Sequence, residues 1–459
     1  MRTLSFLFLL LSVTLCSTTL DAQTPVFAPP QTDVIGPVLT LRQAVEIAIR
    51  NNLVVNTQDL QSQSYKVAFD QSWEYMLPTL NLQAQQGINF GRSLNPTTYQ
   101  YVTQQTGSGN YGLNANIPIF QGLQLQNGVK AARYNFEASR YDLKWQKDNI
   151  TLSVLLAYLQ VLSARDQLVA VRQQEAQDTA QLHRLEAQAK EGAVLVLSNL
   201  TDVQGQVAQD EINIATAVNT FESNKVGLFA LMNVPYKRDV EYENSVNTSN
   251  IADYQASPDT LFNTALQVVP TIESARLKVL AAEKVVAAAR GAYWPSISFG
   301  ASVTSYYNGS AQDANNLKIP WGTQFKDNRA EFIGINLNWN ILNGFRVRNN
   351  VRNQKINLQA AKNNANNARF FLQQQVELAF QNMIAAYKAY KFYNDQAAAY
   401  AESFRITNIR FTEGVVTGDV YIQAKARSDA ATINAAYSRY AYIFRTKVLD
   451  YYQGRLAIP

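Results

Sequence analysis

Residues 376–411 decide the fold, and they read VELAFQNMIAAYKAYKFYNDQAAAYAESFRITNIRF. Apolar residues recur there in steps of four and three, and only Asn394 and Asn408 interrupt the pattern. The stripe consists of Val376, Phe380, Met383, Tyr387, Tyr390, Ala397, Ala401, Phe404 and Phe411. A sustained period of about 3.5 residues is typical of a long helix packed as a coiled coil.

The stripe lies in one of two long regions that lack helix-breaking residues. No Gly or Pro occurs between Gly344 and Gly414, or between Gly128 and Gly192. A helix that filled the first gap would be about 100 Å long, whereas an average helix of about 12 residues is about 18 Å long. The second gap contains a similar stripe, in which two acidic residues, Glu175 and Asp178, occupy apolar positions. The sequence therefore predicts two helical rods, each ending at a glycine turn.

Short motifs recur about 220 residues apart, which predicts two copies of one supersecondary unit. We place the copies at residues 39–234 and 259–459, joined by a polar equatorial link at 235–258. Each copy reads helix, strand, strand, long helix and shorter returning helix. The matching positions are Pro78 with Pro295, Gly122 with Gly344, and Gly192 with Gly414.

Apolar and polar residues alternate before each rod. Asn, Ser and Gln fill most of the polar positions, with almost no charge. This pattern predicts strands, and lengths near ten residues suit a tilted strand with lipid on one face and water on the other. A small soluble sheet packed on the helices is the alternative. The predicted strands span about 79–90, 110–120, 296–305 and 331–342, with polar loops at about 87–109 and 305–329.

Four strands are too few to form a membrane barrel, because about eight is the smallest common closed number. Several chains must therefore contribute, and three chains would supply 12 strands. The sequence predicts an oligomer in contact with outer-membrane lipid, but it does not by itself fix the number three.

The first residues have the pattern of a secretory signal. Arg2 precedes an apolar run, and we expect cleavage after Ala22, which leaves an N-terminal extension at 23–38. A transmembrane helix is the alternative, although the apolar core is too short to span a bilayer. Cys16 is an alternative lipidation site. If it leaves with the signal, the mature chain has no cysteine.

Composition excludes several function classes. A net charge of +5 without a basic cluster makes nucleic acid an unexpected partner. The chain has one histidine, His183, which we place on a rod surface. No catalytic constellation or phosphate-binding loop is visible, so we expect neither an enzyme nor a cofactor. Four methionines and one histidine are too few ligands for a relay of metal ions, so we expect no metal site.

The duplicated plan, with a tight turn at Phe120-Gln121-Gly122 and its copy at Gly344, resembles the TolC family of outer-membrane efflux ducts. The resemblance covers about residues 39–456. It implies a mainly α fold with transmembrane β strands, and a homotrimer whose 12-stranded β-barrel continues as a 12-helix α-barrel. It also implies the outer membrane of a Gram-negative bacterium with a long periplasmic portion. The strand-helix corners would be Pro78, Gly122, Pro295 and Gly344.

The resemblance further implies passive, gated export of small molecules or proteins through a tripartite efflux or type I secretion system. The duct would meet a periplasmic adaptor, or membrane fusion protein, and an inner-membrane pump. The gate would lie at the tip turns Gly192 and Gly414, with Asp419 as the candidate for a ring of carboxylates. An N-cap of the returning helix is the other interpretation of Asp419. The candidate adaptor contacts are Ala193, Val194, Val415 and Val416, with an ordinary interhelix loop as the alternative.

A periplasmic coiled-coil spacer with a soluble sheet at one end is the alternative function. A spacer of this kind would be extracted from cells without detergent and would show no ion conductance in a membrane.

Overall fold

The computed structural model describes residues 36–94, 99–190, 196–243, 254–315 and 317–456. Several sequence predictions fall outside these ranges. They are the signal at 1–22 with Cys16, most of the extension at 23–38, part of the link at 235–258, and the first tip with Gly192, Ala193 and Val194.

The helices and strands follow the same order in both halves, except that β1 opens only the first half and α7 lies between the strands of only the second. The first half contains β1 (Val38–Leu39), α1 (Leu41–Asn51), α2 (Leu53–Glu74), β2 (Thr79–Leu94), β3 (Tyr101–Gln121), α3 (Gln124–Lys190) and α4 (Val196–Met232). After β4 (Glu241–Tyr242), the second half contains α5 (Pro258–Val268), α6 (Pro270–Gly291), β5 (Ser296–Asn308), α7 (Trp321–Asp327), β6 (Ala330–Asn338), α8 (Arg346–Thr412) and α9 (Gly418–Tyr452).

Helix lengths repeat between the halves. α1 and α5 both have 11 residues, and α2 and α6 both have 22. The rods α3 and α8 both have 67 residues, which makes each about 100 Å long. The returning helices α4 and α9 have 37 and 35 residues.

The break between the first two helices of each half has a different cause in each copy. In the first half, the side chain of Asn52 accepts hydrogen bonds from the backbone N–H groups of Val54 and Val55 and so caps α2. In the second half, Pro270 stands at the first position of α6, where its missing N–H costs nothing. Two local solutions thus give the same bend.

The apolar stripe of α8 packs against α9. Val376 and Met383 are buried, and Tyr387 and Tyr390 lie with ring centroids 5.3 and 6.1 Å from that of Tyr442. α3 packs against α4 in the same way, and α6 contacts both rods. Since α9 also contacts α3 and α4, the two helical hairpins lie side by side.

The strands form one antiparallel sheet in the order β2-β3-β5-β6, so the two halves of the chain meet at β3 and β5. The predicted loop at 87–109 is wrong, because β2 and β3 continue as a hairpin to Leu94 and Tyr101. The apolar residues Ile88 and Phe90 keep alternating there, but they face Gly107 and Gln105, which do not alternate. β6 ends at Asn338 instead of 342, and the loop predicted at 305–329 contains the end of β5 and α7.

One helix among the described residues, α3, is long and apolar enough to be compared with a membrane span. Its most apolar 18-residue window has a mean hydropathy of 1.3, and 56% of that window is buried. Val154, Tyr158 and Leu162 of α3 lie in the core shared with α1 and α4. Core packing therefore accounts for this composition.

Candidate functional site

The register of the sheet collects the apolar residues on one face. Directly paired residues of antiparallel strands point to the same side. The central apolar row is Leu80, Ala115, Ala301 and Ile333. On one side of it lie Leu82, Leu113 and Val303, whose row ends at Glu331 on β6, and on the other side lie Ile117, Phe299 and Ile335. Leu80 is 68% exposed and Ile333 is 74% exposed. A contiguous apolar face of this kind marks contact with lipid or with another protein.

The opposite face of the sheet is polar and nearly uncharged. Its rows are Thr79, Asn116, Gly300 and Gly334; Asn81, Asn114, Ser302 and Phe332; and Pro118, Ser298 and Asn336. Phe332 is the one large apolar side chain in these rows. Both faces lie open in the single chain, and none of the described helices packs over the four-stranded region. Such a sheet suits lipid on one side and water on the other.

Aromatic rings mark the outer end of the apolar face. Tyr111 pairs with Ser305 and therefore belongs to that face. The indole N–H of Trp321 in α7 donates to the hydroxyl of Tyr111 at 2.9 Å, and the ring of Phe325 lies 5.4 Å from that of Tyr111. α7 thus lies across the apolar face where β6 has already ended.

A second aromatic group lies at the inner end, formed by Tyr293, Trp294 and Trp339. The indole N–H of Trp339 donates to the backbone carbonyl of Tyr293 at 3.2 Å, and all three side chains are at least half exposed. The apolar face between the two groups is about 30 Å long, and a strand tilt of about 40° reduces its height to about 23 Å. Aromatic rings at both edges of an apolar band are typical of a membrane-water boundary.

The first strand-helix corner is closely packed at Gly122. Its φ is +59°, and a Cβ there would lie 2.1 Å from the carbonyl oxygen of Gly291 and 3.0 Å from the Cβ of Trp294. Only glycine allows this approach between the start of α3 and the end of α6. The sequence pointed to Gly122, but it gave no sign that Gly291 is its contact.

The second corner has the same backbone shape without the contact. Gly344 has a φ of +62°, and a Cβ there would meet nothing within 4 Å. The residue after each corner glycine is also left-handed, Leu123 at +63° and Phe345 at +62°. The prolines Pro78 and Pro295 follow the turns that end α2 and α6 and stand directly before β2 and β5.

Gly414 ends the second rod in a Schellman motif. Its φ is +72°, its N–H donates to the carbonyl of Phe411 at 3.0 Å, and the N–H of Val415 donates to the carbonyl of Arg410 at 2.8 Å. Val415 is 64% exposed. Val416 instead lies partly buried on the cluster that contains Leu185, Val203, Phe411 and Tyr421.

Asp419 is exposed at the start of the returning helix. The N-cap position of α9 is Thr417, so the interpretation of Asp419 as the N-cap is wrong; Asp419 lies in the first turn. The Thr417 hydroxyl donates to its carboxylate, and this bond, with backbone N–H groups, holds the pKa of Asp419 below its usual value. Asp419 therefore carries a negative charge at neutral pH.

The first helical hairpin, formed by α3 and α4, places two polar residues beside Gly418 that were not predicted from the sequence. The backbone N–H of Gly418 donates to the side-chain oxygen of Asn199 in α4 at 2.8 Å. Asp202 also reaches this point, since its Oδ2 would lie 3.2 Å from a Cβ on Gly418. Both residues are far from Gly418 in sequence, and only the pairing of the two hairpins brings them together.

His183 lies on the surface of α3, as predicted, with Nδ1 3.3 Å from a carboxylate oxygen of Glu186. Within the described ranges, no three His, Cys, Asp or Glu side chains form a group able to hold a metal ion.

Solved structures of outer-membrane channels share this fold. The Vibrio cholerae outer membrane protein VceC superposes with a TM-score of 0.73 at 14% identity, covering 91% of this chain and 97% of that one. The open-state Neisseria gonorrhoeae MtrE outer membrane channel gives 0.70 at 19% identity, covering 91% and 89%.

The chain belongs to the outer membrane efflux protein family, whose model matches residues 46–234 and 261–447. The outer membrane efflux protein BepC of Brucella suis is 25% identical over 352 residues, which are 76% of this chain and 70% of that protein. The outer membrane protein TolC of Vibrio cholerae is 24% identical, covering 83% of both. The protein is therefore an efflux duct of the Gram-negative outer membrane, with a long periplasmic helical portion.

Proposed function

We propose that three copies of the chain close a 12-stranded barrel in the outer membrane and continue it as a tube of 12 helices. The observation that supports this most is the sheet itself, which has an exposed apolar face, an exposed uncharged polar face and two open edges. β2 forms one edge and β6 the other. Lipid satisfies no backbone hydrogen bonds, so these edges must pair with β6 and β2 of neighbouring copies.

The duct exports passively. The polar sheet face, with Asn81, Asn114 and Ser302 at its centre, lines a wide aqueous pore with little selectivity. Its cargo is small molecules or proteins supplied by an inner-membrane pump. The helical tips dock on a periplasmic adaptor, to which the exposed Val415 offers an apolar contact.

The gate lies at the tips, where the turn at Gly414 narrows the tube; Gly192, its predicted counterpart, lies outside the described residues. One Asp419 from each copy gives three carboxylates around the narrowing, and their combined potential favours cations. Asp202 lies beside the same turn and would add to this potential.

Replacing Asp419 by asparagine is expected to lower the preference for cations. The change removes three ionised carboxylates from the trimer and leaves the side-chain shape nearly unchanged. We expect the cation-to-anion permeability ratio to fall about twofold or more, as measured from reversal potentials in a salt gradient. Glu402→Gln, which removes an exposed carboxylate of α8, is the matched control; an equal change in both variants would contradict the role of Asp419.

Val415→Asp is expected to impair efflux in cells while leaving the trimer and its conductance intact. The charge would lie in the apolar contact with the adaptor, and an unpaired buried charge at an interface costs about 2 kcal/mol or more. Drug susceptibility of a deletion strain carrying each variant measures the effect, with Val415→Ile as the control. Normal resistance with the Asp variant would exclude this contact.

Planar-bilayer recording of the detergent-extracted protein tests the proposed function. We expect stepwise conductance from wide, weakly selective pores. A protein that is extracted without detergent and never conducts would be a periplasmic spacer instead.

A further inference from the structure

A buried cluster of charged side chains joins three helices on the tip side of the rods. Asp178 of α3 is 0% exposed, Asp210 of α4 is 3% exposed, and Lys425 of α9 is 1% exposed. Asp429 lies one turn beyond Lys425. Charged groups are almost never buried this completely without a partner. Lys425 follows Gly414 by about three helical turns, which places the cluster about 16 Å from the tip.

Lys425 is the cation of the cluster. Its Nζ donates to Oδ2 of Asp429 at 2.7 Å and lies 2.9 Å from Oδ2 of Asp178 as an ion pair. Burial lowers the pKa of Lys425, but the bonds to Asp429 and Asp178 outweigh burial, so the net effect raises its pKa. The hydroxyl of Tyr421 donates to Oδ1 of Asp178 at 3.3 Å. Lys425 therefore stays charged.

The cluster has three carboxyl groups for this one ammonium group. If all three were ionised, two negative charges would remain uncompensated in the interior, at a high cost in desolvation. Asp178 and Asp210 lie within hydrogen-bonding range of each other. Oδ2 of Asp178 is engaged by the ammonium group of Lys425, whereas Oδ2 of Asp210 is buried and accepts no hydrogen bond. One proton on the pair would supply the missing donor.

The neighbouring groups do not supply that donor. Gln206 of α4 donates to the other oxygen of Asp210, Oδ1, at 2.9 Å. Gln174 of α3 forms a hydrogen bond with Asp429. Burial raises the pKa of Asp429 and Lys425 lowers it, and the net effect is an increase. From the described part of α8, the aromatic rings of Phe404 and Phe411 pack on Tyr421. Burial raises the pKa of Tyr421, and Arg184 of α3, a further charge nearby, opposes this increase.

We propose that Asp178 and Asp210 share one proton, and that this proton holds α9 against α3 and α4 near the tips. Burial, and after it the bond to Asp210, raises the pKa of Asp178 from 3.8 to about 7, although Lys425 opposes the change. A raised pKa stabilises the packed state fully below the ordinary pKa of 3.8, and this stabilisation is lost as the pH rises through about 7. Mildly alkaline pH therefore loosens this layer.

Hydrogen exchange of the α9 segment 419–432 in the detergent-solubilised oligomer tests the proposal. After correction for the intrinsic exchange rate, we expect local opening to increase about tenfold between pH 6 and pH 8.5, because a group with a pKa near 7 loses its proton over that interval. Asp178→Asn should reduce this change to less than twofold, since an amide donates to Asp210 at any pH. Asp210→Asn should do the same by donating to Asp178.

Glu402→Gln, an exposed carboxylate of α8 paired with Arg405, is the control and should keep the tenfold change. Protection of wild-type α9 that is equal at both pH values would overturn the proposal. A tenfold change that persists in both Asn variants would overturn it as well. The inference concerns helix packing and does not rest on the proposed function, because exchange reports on this layer whether or not the tips form the gate.

Discussion

Gly122→Ala is expected to abolish the folded oligomer. At a φ of +59°, any L side chain is strained by about 1–2 kcal/mol. The new Cβ would also lie 2.1 Å from the carbonyl oxygen of Gly291, a backbone atom that cannot rotate away. The start of α3 and the end of α6 would have to separate, at the corner where the sheet meets the rods. We expect the free energy of unfolding to fall by more than about 3 kcal/mol per chain.

Gly344→Ala is the matched control, because it has nearly the same backbone angle with open space around it. It should cost only the strain of about 1–2 kcal/mol and leave an oligomer that dissociates at a somewhat lower temperature. Heat dissociation of the detergent-extracted oligomer, followed by gel mobility, measures both variants. If the two variants behaved alike, the contact with Gly291 would not determine the corner.

Ala301→Arg is expected to remove the protein from the outer membrane. Ala301 lies in the central row of the apolar face, midway between the aromatic groups at its two ends. An arginine on the lipid side of a barrel near the midplane costs about 2–4 kcal/mol, and the proposed trimer would carry three copies. We expect the amount of folded protein in the outer-membrane fraction to fall at least tenfold.

Ser302→Arg, at the next residue, is the control for the sidedness of the sheet. Its side chain belongs to the polar face, so the arginine would enter the aqueous lumen. This variant should assemble normally and shift the reversal potential towards anions. Equal amounts of both variants in the membrane would contradict the assignment of lipid and water to the two faces.

The periodic parts of the fold were predictable from the sequence because one physical pattern determined each of them. The stripe around Met383 predicted the rod, and the alternation around Leu113 and Val303 predicted the apolar face of the sheet. The outer hairpin was not predictable, since Gly107 and Gln105 opposite Ile88 and Phe90 give no alternating signal. Backbone pairing extends the strands there although only β2 keeps an apolar pattern.

Contacts between distant segments could not be predicted from the sequence either. Asp178 appeared only as an interruption of an apolar stripe, and nothing in the chain linked it to Asp210 or Lys425. Likewise, Gly122 was predicted as a corner from its copy at Gly344, although just one of the two is tightly packed. Local periodicity determines which elements form, whereas their partners depend on how the two copies pack.

The mass of the protein extracted in mild detergent, by light scattering corrected for bound detergent, tests the central claim most directly. Open edges at β2 and β6 require closure by other copies, and we predict three times the mass of one processed chain. A monomer that stays soluble after detergent removal would contradict the account, because the exposed apolar face would then need no lipid.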